Sequence, residues 1–223
     1  MSFPETKTIY KISSWLVTFL VPIILILTAV RLLLTSAFVQ LEYRTPGFPD
    51  DPYGFTRADR LVWSQNALDY LLNDAGISFL GDLRFADGTP VYNERELSHM
   101  IDVKNVTRIA LNVWHGGLAA LLFLGVWAWR GNWLNEFRFG LGRGGWLAVF
   151  LVGGIILLVL VGFGFFFVAF HGVFFEAGTW TFPTSDTLIR LFPERFWRDA
   201  FLAIGGIALA GGVGLALGLK PIK

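Results

Sequence analysis

The 223-residue sequence contains no cysteine. This absence excludes disulfide bonds, thiolate metal sites and a cysteine nucleophile, and it leaves the redox compartment undetermined. Charge is also balanced, since 18 Lys and Arg residues stand against 17 Asp and Glu residues, for a net charge of +1. Nucleic-acid-binding domains carry a strongly basic surface, so we expect no nucleic acid among the partners of this chain.

Two signatures of hydrolytic enzymes are missing as well. The sequence has no G-x-S-x-G elbow, the turn that presents the nucleophilic serine of α/β-hydrolases. It also has no H-E-x-x-H or comparable metal-binding motif. Two histidines together with Asp102 or Glu96 would be chemically suitable metal ligands. Without such a motif, however, we expect no metal and no other cofactor.

Hydrophobic residues dominate the composition instead. They make up 54% of the chain, which includes 22 Phe and 9 Trp. Several runs without charge reach the length of about 20 residues that a helix needs to cross a bilayer. We therefore predict an all-α membrane protein that forms a single integral membrane domain over residues 1–223. Its four transmembrane helices are predicted at about 13–39, 109–129, 145–174 and 200–219.

Lysine and arginine are unevenly distributed among the segments that flank these helices. The N-terminus, the loop at 130–143 and the C-terminus are basic, whereas the inserts at 41–108 and 176–199 have more acidic than basic residues. The positive-inside rule then puts both termini in the cytoplasm and both inserts outside. We expect the inserts to form a small extracytoplasmic cap of helices with a short hairpin or irregular loop.

Local patterns subdivide the first insert. Thr56 followed by Asp59 resembles a capping box, and leucines at helical spacing then indicate an amphipathic helix that ends near Asn73. Further on, the pair Asp87-Gly88 between apolar residues is typical of a turn, either in a hairpin or in an irregular loop.

The segment from Asn93 to Lys104 concentrates charged side chains just before an apolar run. Asn93 is a suitable N-cap, and Glu96 occupies the third position of the helix that would follow. No Gly or Pro occurs between Val91 and His115, so this helix can continue into the membrane. Its charged side chains indicate either a solvated helix face or a network that positions substrate atoms at the membrane boundary.

Three histidines are candidates for acid–base chemistry. The predicted topology puts His99 and His171 at the same level near the outer boundary, whereas His115 lies inside the second transmembrane helix. Two imidazoles suit general acid and base catalysis because their pKa lies close to ambient pH. Asp102, on the same helix face as His99, is placed to fix its tautomer, as the carboxylate of a catalytic triad does. The alternative is a packing or hydrogen-bonding role, which we favour for His115.

Four motifs resemble a known family, the bacterial lipoprotein intramolecular transacylases. The most specific is the block E-L-S-H-M-x-D-V-K at residues 96–104, and the likeness extends over most of the chain. Members of that family are described as four transmembrane helices with an extracellular cap, which agrees with the topology predicted above. The other motifs are Tyr53-Gly54-Phe55-Thr56, Phe170-His171-Gly172-Val173-Phe174-Phe175 with Trp180 and Phe182-Pro183, and Leu188-Ile189-Arg190-Leu191-Phe192-Pro193-Glu194.

The resemblance implies an acyltransferase of the bacterial cell membrane. Its reaction would move the sn-2 acyl chain of a diacylglyceryl lipoprotein to the α-amino group of the N-terminal cysteine of that lipoprotein. Diacylated lipoproteins and membrane lipids are then the expected partners. Because the substrate supplies its own amine nucleophile, the enzyme needs no serine or cysteine. His99 and His171 match the catalytic pair of the family, one as base and the other as acid or oxyanion stabiliser.

The resemblance also suggests which residues surround the pair. Asp102, Glu96 and Lys104 are expected to support or orient it. The expected substrate pocket is aromatic: Tyr53, Phe55, Phe170, Phe174 and Trp180. Two other functions remain open at this point. One is a membrane hydrolase, with or without a metal, that uses the same histidines. The other is a sensor or assembly factor whose cap binds a peptide or lipid without catalysis.

Overall fold

The structure, a computed structural model, describes residues 4–219. Over this range the regular structure is helical, apart from one isolated β-bridge between Arg84 and Pro90. The helices are α1 (Pro4–Leu33), α2 (Ser36–Glu42), α3 (Arg57–Leu72), α4 (Ser78–Gly81), α5 (Glu94–Arg130), α6 (Leu134–Phe174), α7 (Thr187–Leu191) and α8 (Glu194–Gly218).

Within the described range, four helices are long and apolar enough to cross a membrane. They are Lys7–Leu33 within α1, and the whole of α5, α6 and α8. An uninterrupted helix satisfies all of its internal backbone hydrogen bonds without water, which is why it can cross hydrocarbon. The chain is an all-α membrane protein with four such helices, as the sequence predicts.

The helix predicted at about 13–39 is interrupted after Leu33. Thr35 adopts an extended backbone with φ −145° and ψ 149°, and its hydroxyl oxygen accepts a hydrogen bond from the N–H of Phe38. A side-chain oxygen that satisfies a free N–H of the first turn favours a new helix start at that position. The chain therefore begins the separate helix α2 at Ser36.

The helices that contain the predicted membrane spans 109–129 and 145–174 both begin before those spans. Hydropathy marks only the apolar part of a helix, whereas caps and the absence of breakers decide where it starts. α5 accordingly starts directly after Asn93, and α6 includes the basic residues that precede its apolar part. α6 is also kinked at Gly162, where φ −155° and ψ 65° are not helical. The Phe-rich end of α6 follows this kink.

Residues 4–219 divide into two compact units. Unit 1 comprises residues 4–31, 111–160 and 202–219. Unit 2 comprises residues 32–110 and 161–201. Both His99 and His171 belong to unit 2, so their surroundings can be described within one unit. The single domain expected for the whole chain stays a prediction.

Unit 1 brings helix backbones close together through glycine. A Cβ on Gly145 would lie 2.5 Å from the carbonyl oxygen of Gly212, and one on Gly144 would lie 2.6 Å from the Cβ of Val21. Small residues at such contacts allow the close helix packing that van der Waals attraction favours in a membrane. The buried apolar core of this unit includes Val17, Val21, Leu124, Ala128 and Trp133.

Unit 2 has a core that joins α3, α4, α7 and the first turns of α5. Met100 belongs to this core and directly follows His99. Burial of Met100 therefore fixes the rotation of α5 about its axis and, with it, the direction of its neighbours. The buried members of the core are Ala67, Tyr70, Leu80, Val91, Tyr92, Met100, Leu188 and Leu191.

Two predicted helix starts in unit 2 are confirmed. The Thr56 hydroxyl accepts a hydrogen bond from the N–H of Asp59, and the Asp59 carboxylate accepts one from the N–H of Thr56 at 2.8 Å. Asn93 and Glu96 form the same reciprocal pair. The predicted turn at Gly88 is also present, with a positive φ of 85°. It closes the single bridge rather than a pair of strands, so the irregular-loop alternative is the one observed.

Candidate active site

His99 on α5 and His171 on α6 lie next to each other in unit 2. Their ring centroids are 6.4 Å apart, with 22° between the ring planes. Only 8% of His99 and 9% of His171 is exposed. The structure therefore brings together the two histidines that the sequence singled out, in surroundings that are largely closed to solvent.

His99 is held in place by the hydrogen bonds of Glu96, one turn earlier on α5. The Glu96 side chain is 1% exposed. One carboxylate oxygen accepts the N–H of Asn93 at 2.8 Å, and the other accepts the N–H of Leu188 at 2.7 Å. Glu96 thus ties the first turn of α5 to α7. This contact fits the supporting role expected for Glu96, although it acts through the backbone and not on the imidazole.

His171 has a defined tautomer. Its Nδ1 lies 2.8 Å from the backbone carbonyl oxygen of Phe167, four residues earlier on α6. A carbonyl oxygen can only accept a hydrogen bond, so Nδ1 carries the proton. In the neutral ring the lone pair is then on Nε2, because the hydrogen bond made by one nitrogen determines the state of the other.

Aromatic side chains surround the two imidazoles. His99 contacts Phe175 and Phe182, with ring centroids 4.9 and 5.4 Å away. Phe167 lies 4.0 Å and Trp180 4.8 Å from His171. Such walls limit the access of water, and electrostatic interactions strengthen where water is excluded.

Two of the predicted pocket residues, Phe170 and Phe174, line the α6 side of the site. The Phe170 ring lies 5.7 Å from His171 and 4.9 Å from the Phe174 ring. The Phe174 side chain is 46% exposed, so it is available to an apolar ligand. Phe170 and Trp180 border His171, and Phe174 packs on Phe170. The contact of these three residues with a substrate stays a prediction.

Two buried polar atoms in the site have no hydrogen-bond partner. They are Nδ1 of His99 and Nε1 of Trp180. Asp102 therefore does not hydrogen-bond Nδ1 of His99, and the tautomer-fixing contact expected for it is not formed. A buried polar atom without a partner costs roughly 1–3 kcal/mol. Both atoms are consequently placed to gain free energy from a polar group of a bound ligand.

Lys104 lies away from the imidazoles, against the end of α3. Its ammonium group donates to the carbonyl oxygen of Ala75 at 2.6 Å and to the side-chain oxygen of Asn73 at 3.2 Å. The same group lies 3.9 Å from the centre of the Tyr70 ring, a cation–π contact. These contacts tie α5 to the segment after α3, so Lys104 supports the fold of unit 2.

Tyr53 and Phe55 surround a different group, the guanidinium of Arg190. This group lies 3.4 Å from the Phe55 ring centre and 5.7 Å from the Tyr53 ring centre. The Tyr53 hydroxyl also hydrogen-bonds the Thr184 hydroxyl at 2.7 Å. The structure gives neither aromatic ring a contact with His99 or His171, so their place in a substrate pocket stays a prediction.

Arg190 also forms a buried ion pair with Asp51. Nε and Nη2 of Arg190 donate to the carboxylate, with Nη2 at 2.9 Å, and the N–H of Phe55 donates to it at 2.7 Å. Burial by itself raises the pKa of Asp51, but these hydrogen bonds outweigh burial and hold the pKa below its ordinary value. The charged pair anchors the loop before α3 to α7.

Three phenylalanines contact the two histidines although none of them was among the predicted site residues; Phe175 and Phe182 stood only in the motifs of the family likeness. Phe167 and Phe175 stand four residues before and after His171, the spacing that puts side chains on one helix face. That spacing was the available signal. Phe182 comes from the loop before α7, and its contact with His99 had no local signal, because it depends on how that loop folds back.

The remaining histidine belongs to the other unit. His115 lies in unit 1, where its ring contacts the neighbouring Trp114 at 4.9 Å. In the part of the chain that the structure describes, no three residues of the types His, Cys, Asp or Glu are grouped as a metal ion would require.

Comparison with known proteins identifies one matching family. A family model described as lipoprotein intramolecular transacylase Lit matches residues 15–197. In Aquifex aeolicus (strain VF5), an uncharacterized protein is 26% identical over 210 residues, which is 91% of this chain and 91% of that protein.

Solved structures resemble the fold. The membrane integral lipoprotein intramolecular transacylase Lit from Bacillus cereus superimposes with a TM-score of 0.66 and 19% identity, over 94% of this chain and 93% of that one. A variant of the same protein in which one histidine is replaced by alanine gives a TM-score of 0.56 and 18% identity, over 94% and 91% of the two chains. At these identities the likeness supports the helical membrane fold.

Proposed function

This chain belongs to the lipoprotein intramolecular transacylase family, and we propose that it moves the sn-2 acyl chain of a diacylglyceryl lipoprotein to the α-amino group of the N-terminal cysteine. It is an acyltransferase and an integral membrane protein that acts on lipoproteins. The product of the proposed reaction is an N-acyl lipoprotein whose glyceryl group carries a free hydroxyl. The substrate provides both the ester and the attacking amine.

The observation that carries this proposal is the approach of the His99 and His171 rings to 6.4 Å. Transfer from oxygen to nitrogen requires one proton to leave the amine and one to reach the departing glyceryl oxygen. Two imidazoles side by side supply both functions, and general acid–base catalysis of this kind contributes typically 10²–10⁴-fold in rate. Enclosing amine and ester together adds the rate advantage of an intramolecular reaction.

The tautomer of His171 supports a division of roles. Since Nδ1 donates to the Phe167 carbonyl, Nε2 of His171 has the free lone pair that a base requires. We infer that His171 takes the proton from the amine and becomes an imidazolium. His99 gives a proton to the glyceryl oxygen as it receives one from His171, so both rings end neutral and ready for the next turnover.

The aromatic walls favour transfer over hydrolysis. Phe175 and Phe182 pack on the His99 ring, and Phe167 and Trp180 pack on the His171 ring. A nucleophile tethered to the substrate is already present in such a site, whereas water has to enter it. Exclusion of water protects the ester from the competing reaction, which is the reaction of the hydrolase alternative.

The test is an assay of purified protein with a synthetic dipalmitoyl-glyceryl-cysteine lipopeptide. Acyl migration leaves the mass unchanged, so fragment-ion mass spectrometry has to locate the acyl chain on the amine, whereas hydrolysis shows as loss of a fatty acid. We expect His99→Gln and His171→Gln to reduce transfer at least about 100-fold, while His115→Gln retains activity. Full turnover by either site variant would overturn the assignment.

We further propose that the protein lies in the cell membrane with both termini in the cytoplasm and the residues around Ala86 outside. The distribution of Lys and Arg supports this orientation. Because the chain has no cysteine, single cysteines can be labelled without background. Ala86→Cys should react with a membrane-impermeant maleimide in intact cells and Arg130→Cys should not, and the reverse pattern would refute the orientation.

A further inference from the structure

Trp180 has a hydrogen-bond donor that the folded protein leaves unused. Its indole ring lies 4.8 Å from the His171 ring and meets the Phe167 ring edge-on. Nε1 is buried, yet no acceptor is within hydrogen-bond distance of it. Nearly all buried donors in proteins are satisfied, so an exception in a reactive site points to a partner that arrives with the substrate.

Two other tryptophans provide a comparison for the unpartnered N–H of Trp180. The Nε1–H of Trp114 donates to the Thr28 hydroxyl at 3.0 Å, the ordinary arrangement. Nε1 of Trp133 also lacks an acceptor. However, Trp133 is 1% exposed and enclosed by the Tyr10 and Trp127 rings, so no ligand reaches it. Trp180, by contrast, is only partly buried as a residue and packs on His171, so its unpartnered N–H lies beside a group of the proposed site.

The loop before α7 presents Trp180 in a fixed position. Gly178 adopts a positive φ of 88°, a conformation that favours glycine. The backbone N–H and the hydroxyl of Thr179 both donate to the carbonyl oxygen of Glu176. This turn is closed by its own hydrogen bonds, and the indole packs on the Phe167 and His171 rings, so its position does not depend on a substrate. A donor that is already oriented stabilises developing charge without reorganisation.

We propose, on the basis of the function proposed above, that Trp180 Nε1–H donates a hydrogen bond to the carbonyl oxygen of the migrating acyl group. The amine nitrogen forms a bond to the carbonyl carbon, and the carbonyl π electrons move to the oxygen, which becomes an oxyanion. Trp180 stabilises this oxyanion. When the carbonyl re-forms, the bond to the glyceryl oxygen breaks, and that oxygen receives a proton while the nitrogen has lost one.

The phenylalanine neighbours of His171 cannot donate a hydrogen bond to the oxyanion. Phe167, Phe170 and Phe175 have no polar hydrogen to donate. Nδ1–H of His171 is committed to the Phe167 carbonyl. Among the described side chains that pack on His171, only Trp180 has an N–H group that stays protonated throughout the proposed reaction.

The decisive variant is Trp180→Phe, which keeps an aromatic ring and removes the N–H. Loss of one oxyanion donor reduces kcat by about 10²–10³-fold, so we expect at least a 100-fold lower kcat with little change in KM for the lipopeptide. Trp133→Phe is the matched control, because it removes an equally unpartnered N–H from the core of unit 1, and it should keep kcat within about threefold.

The affinities of wild type and Trp180→Phe for two unreactive lipopeptides distinguish hydrogen bonding to the oxyanion from simple packing of Trp180 against the substrate. An ether-linked analogue has no acyl carbonyl, so Trp180→Phe should bind it as the wild type does. A phosphonate analogue carries a tetrahedral anionic centre, and the variant should bind it at least tenfold more weakly. Equal weakening for both analogues would show that Trp180 only packs against the substrate, and would overturn the proposal.

A second variant covers the case in which Trp180→Phe does not fold. Benzothienylalanine at position 180 replaces the N–H by sulfur and preserves the shape of the indole. Wild-type kcat in this variant would overturn the proposal, and a 100-fold loss would support it. Failure of the proposed function would show differently, as absence of acyl transfer by the wild-type protein itself.

Discussion

The Glu96 carboxylate accepts a hydrogen bond from the N–H of Leu188, a residue 92 positions later in the chain. The same carboxylate caps the first turn of α5 through the N–H of Asn93. One buried side chain therefore accepts hydrogen bonds from two backbone N–H groups. It thereby holds the start of α5, the helix that carries His99, against α7. Removing it should affect stability before it affects chemistry.

We predict that Glu96→Ala lowers the free energy of unfolding in detergent by about 2–4 kcal/mol. The reason is that the buried N–H of Leu188 and the partly buried N–H of Asn93 lose their acceptor. Each such loss costs roughly 1–3 kcal/mol when the donor is buried, and less when water reaches it. Glu96→Gln retains one acceptor oxygen and should lose less. Glu94→Ala is the control, because Glu94 is exposed on the same turn. Denaturant titration followed by tryptophan fluorescence measures the difference, and equal stability of both alanine variants would contradict the prediction.

The buried pair of Asp51 and Arg190 leads to a second stability prediction. The Asp51 side chain is fully buried and Arg190 is 13% exposed. Removing one partner of a buried ion pair costs about 3–5 kcal/mol, because the remaining charge is left without compensation. Arg190→Gln should therefore destabilise the protein by roughly this amount.

The control for that prediction is Arg108→Gln. Arg108 pairs with Asp74 at 2.8 Å, but both side chains are largely exposed. Exposed pairs of this kind contribute about 0–1 kcal/mol. Thermal unfolding of the two variants in the same detergent makes the comparison, and a similar small effect from both would mean that the Asp51 pair does not stabilise unit 2.

A third prediction concerns pH and Glu42, the last residue of α2. Burial, followed by repulsion from the neighbouring Asp199 carboxylate, raises the pKa of Glu42 to about 7, against an opposing effect of Arg195. The ordinary value, expected for the unfolded chain, is 4.5. Between these values the folded state binds more protons than the unfolded state, so stability is lost as pH rises from about 4.5 through 7.

Glu42→Gln cannot ionise and should not show this loss. We expect its melting temperature to exceed that of the wild type at pH 8 and to match it near pH 4.5. Glu94→Gln, the same substitution at an exposed position, serves as the control. A constant offset between Glu42→Gln and wild type at all pH values would contradict the assigned cause.

A fourth prediction tests the aromatic wall at His99. Phe182→Ala opens the side of the site where the Phe182 ring lies 5.4 Å from the imidazole. Water that enters competes with the amine for the ester, so the ratio of released fatty acid to transferred acyl chain should rise several-fold. Phe139→Ala, at a 61% exposed position of unit 1, is the control. An unchanged product ratio would indicate that the wall does not exclude water.

Much of the local structure could be predicted because its causes are local. The capping boxes at Thr56 and Asn93 and the turn at Gly88 each depend on residues within a few positions of one another. The break after Leu33 and the kink at Gly162 were not predicted, since apolar runs continue across both. Hydropathy does not register a capping hydroxyl or a single non-helical glycine.

The sequence predicted which residues could perform the chemistry of the site, but not which side chains contact one another there. His99 and His171 stood out as a pair, and the family likeness connected them to acyl transfer. Tyr53 and Phe55, whose place in a substrate pocket stays a prediction, have contacts with Arg190 that the sequence did not indicate. The contact of Phe182 with His99 could not be derived, because it joins a loop to a distant helix without any periodic pattern.

The sequence by itself determined the class of protein and the available chemistry. Long apolar helices require a membrane, absence of cysteine excludes thiol chemistry, and two histidines are the acid–base groups that the sequence predicts. Only the tertiary structure decided that the imidazoles lie 6.4 Å apart, that Nδ1 of His171 is held by a carbonyl, and that Trp180 keeps a free N–H beside them. The physical reason is that composition and spacing act along the chain, whereas proton transfer and charge stabilisation depend on distances of a few ångströms between distant segments.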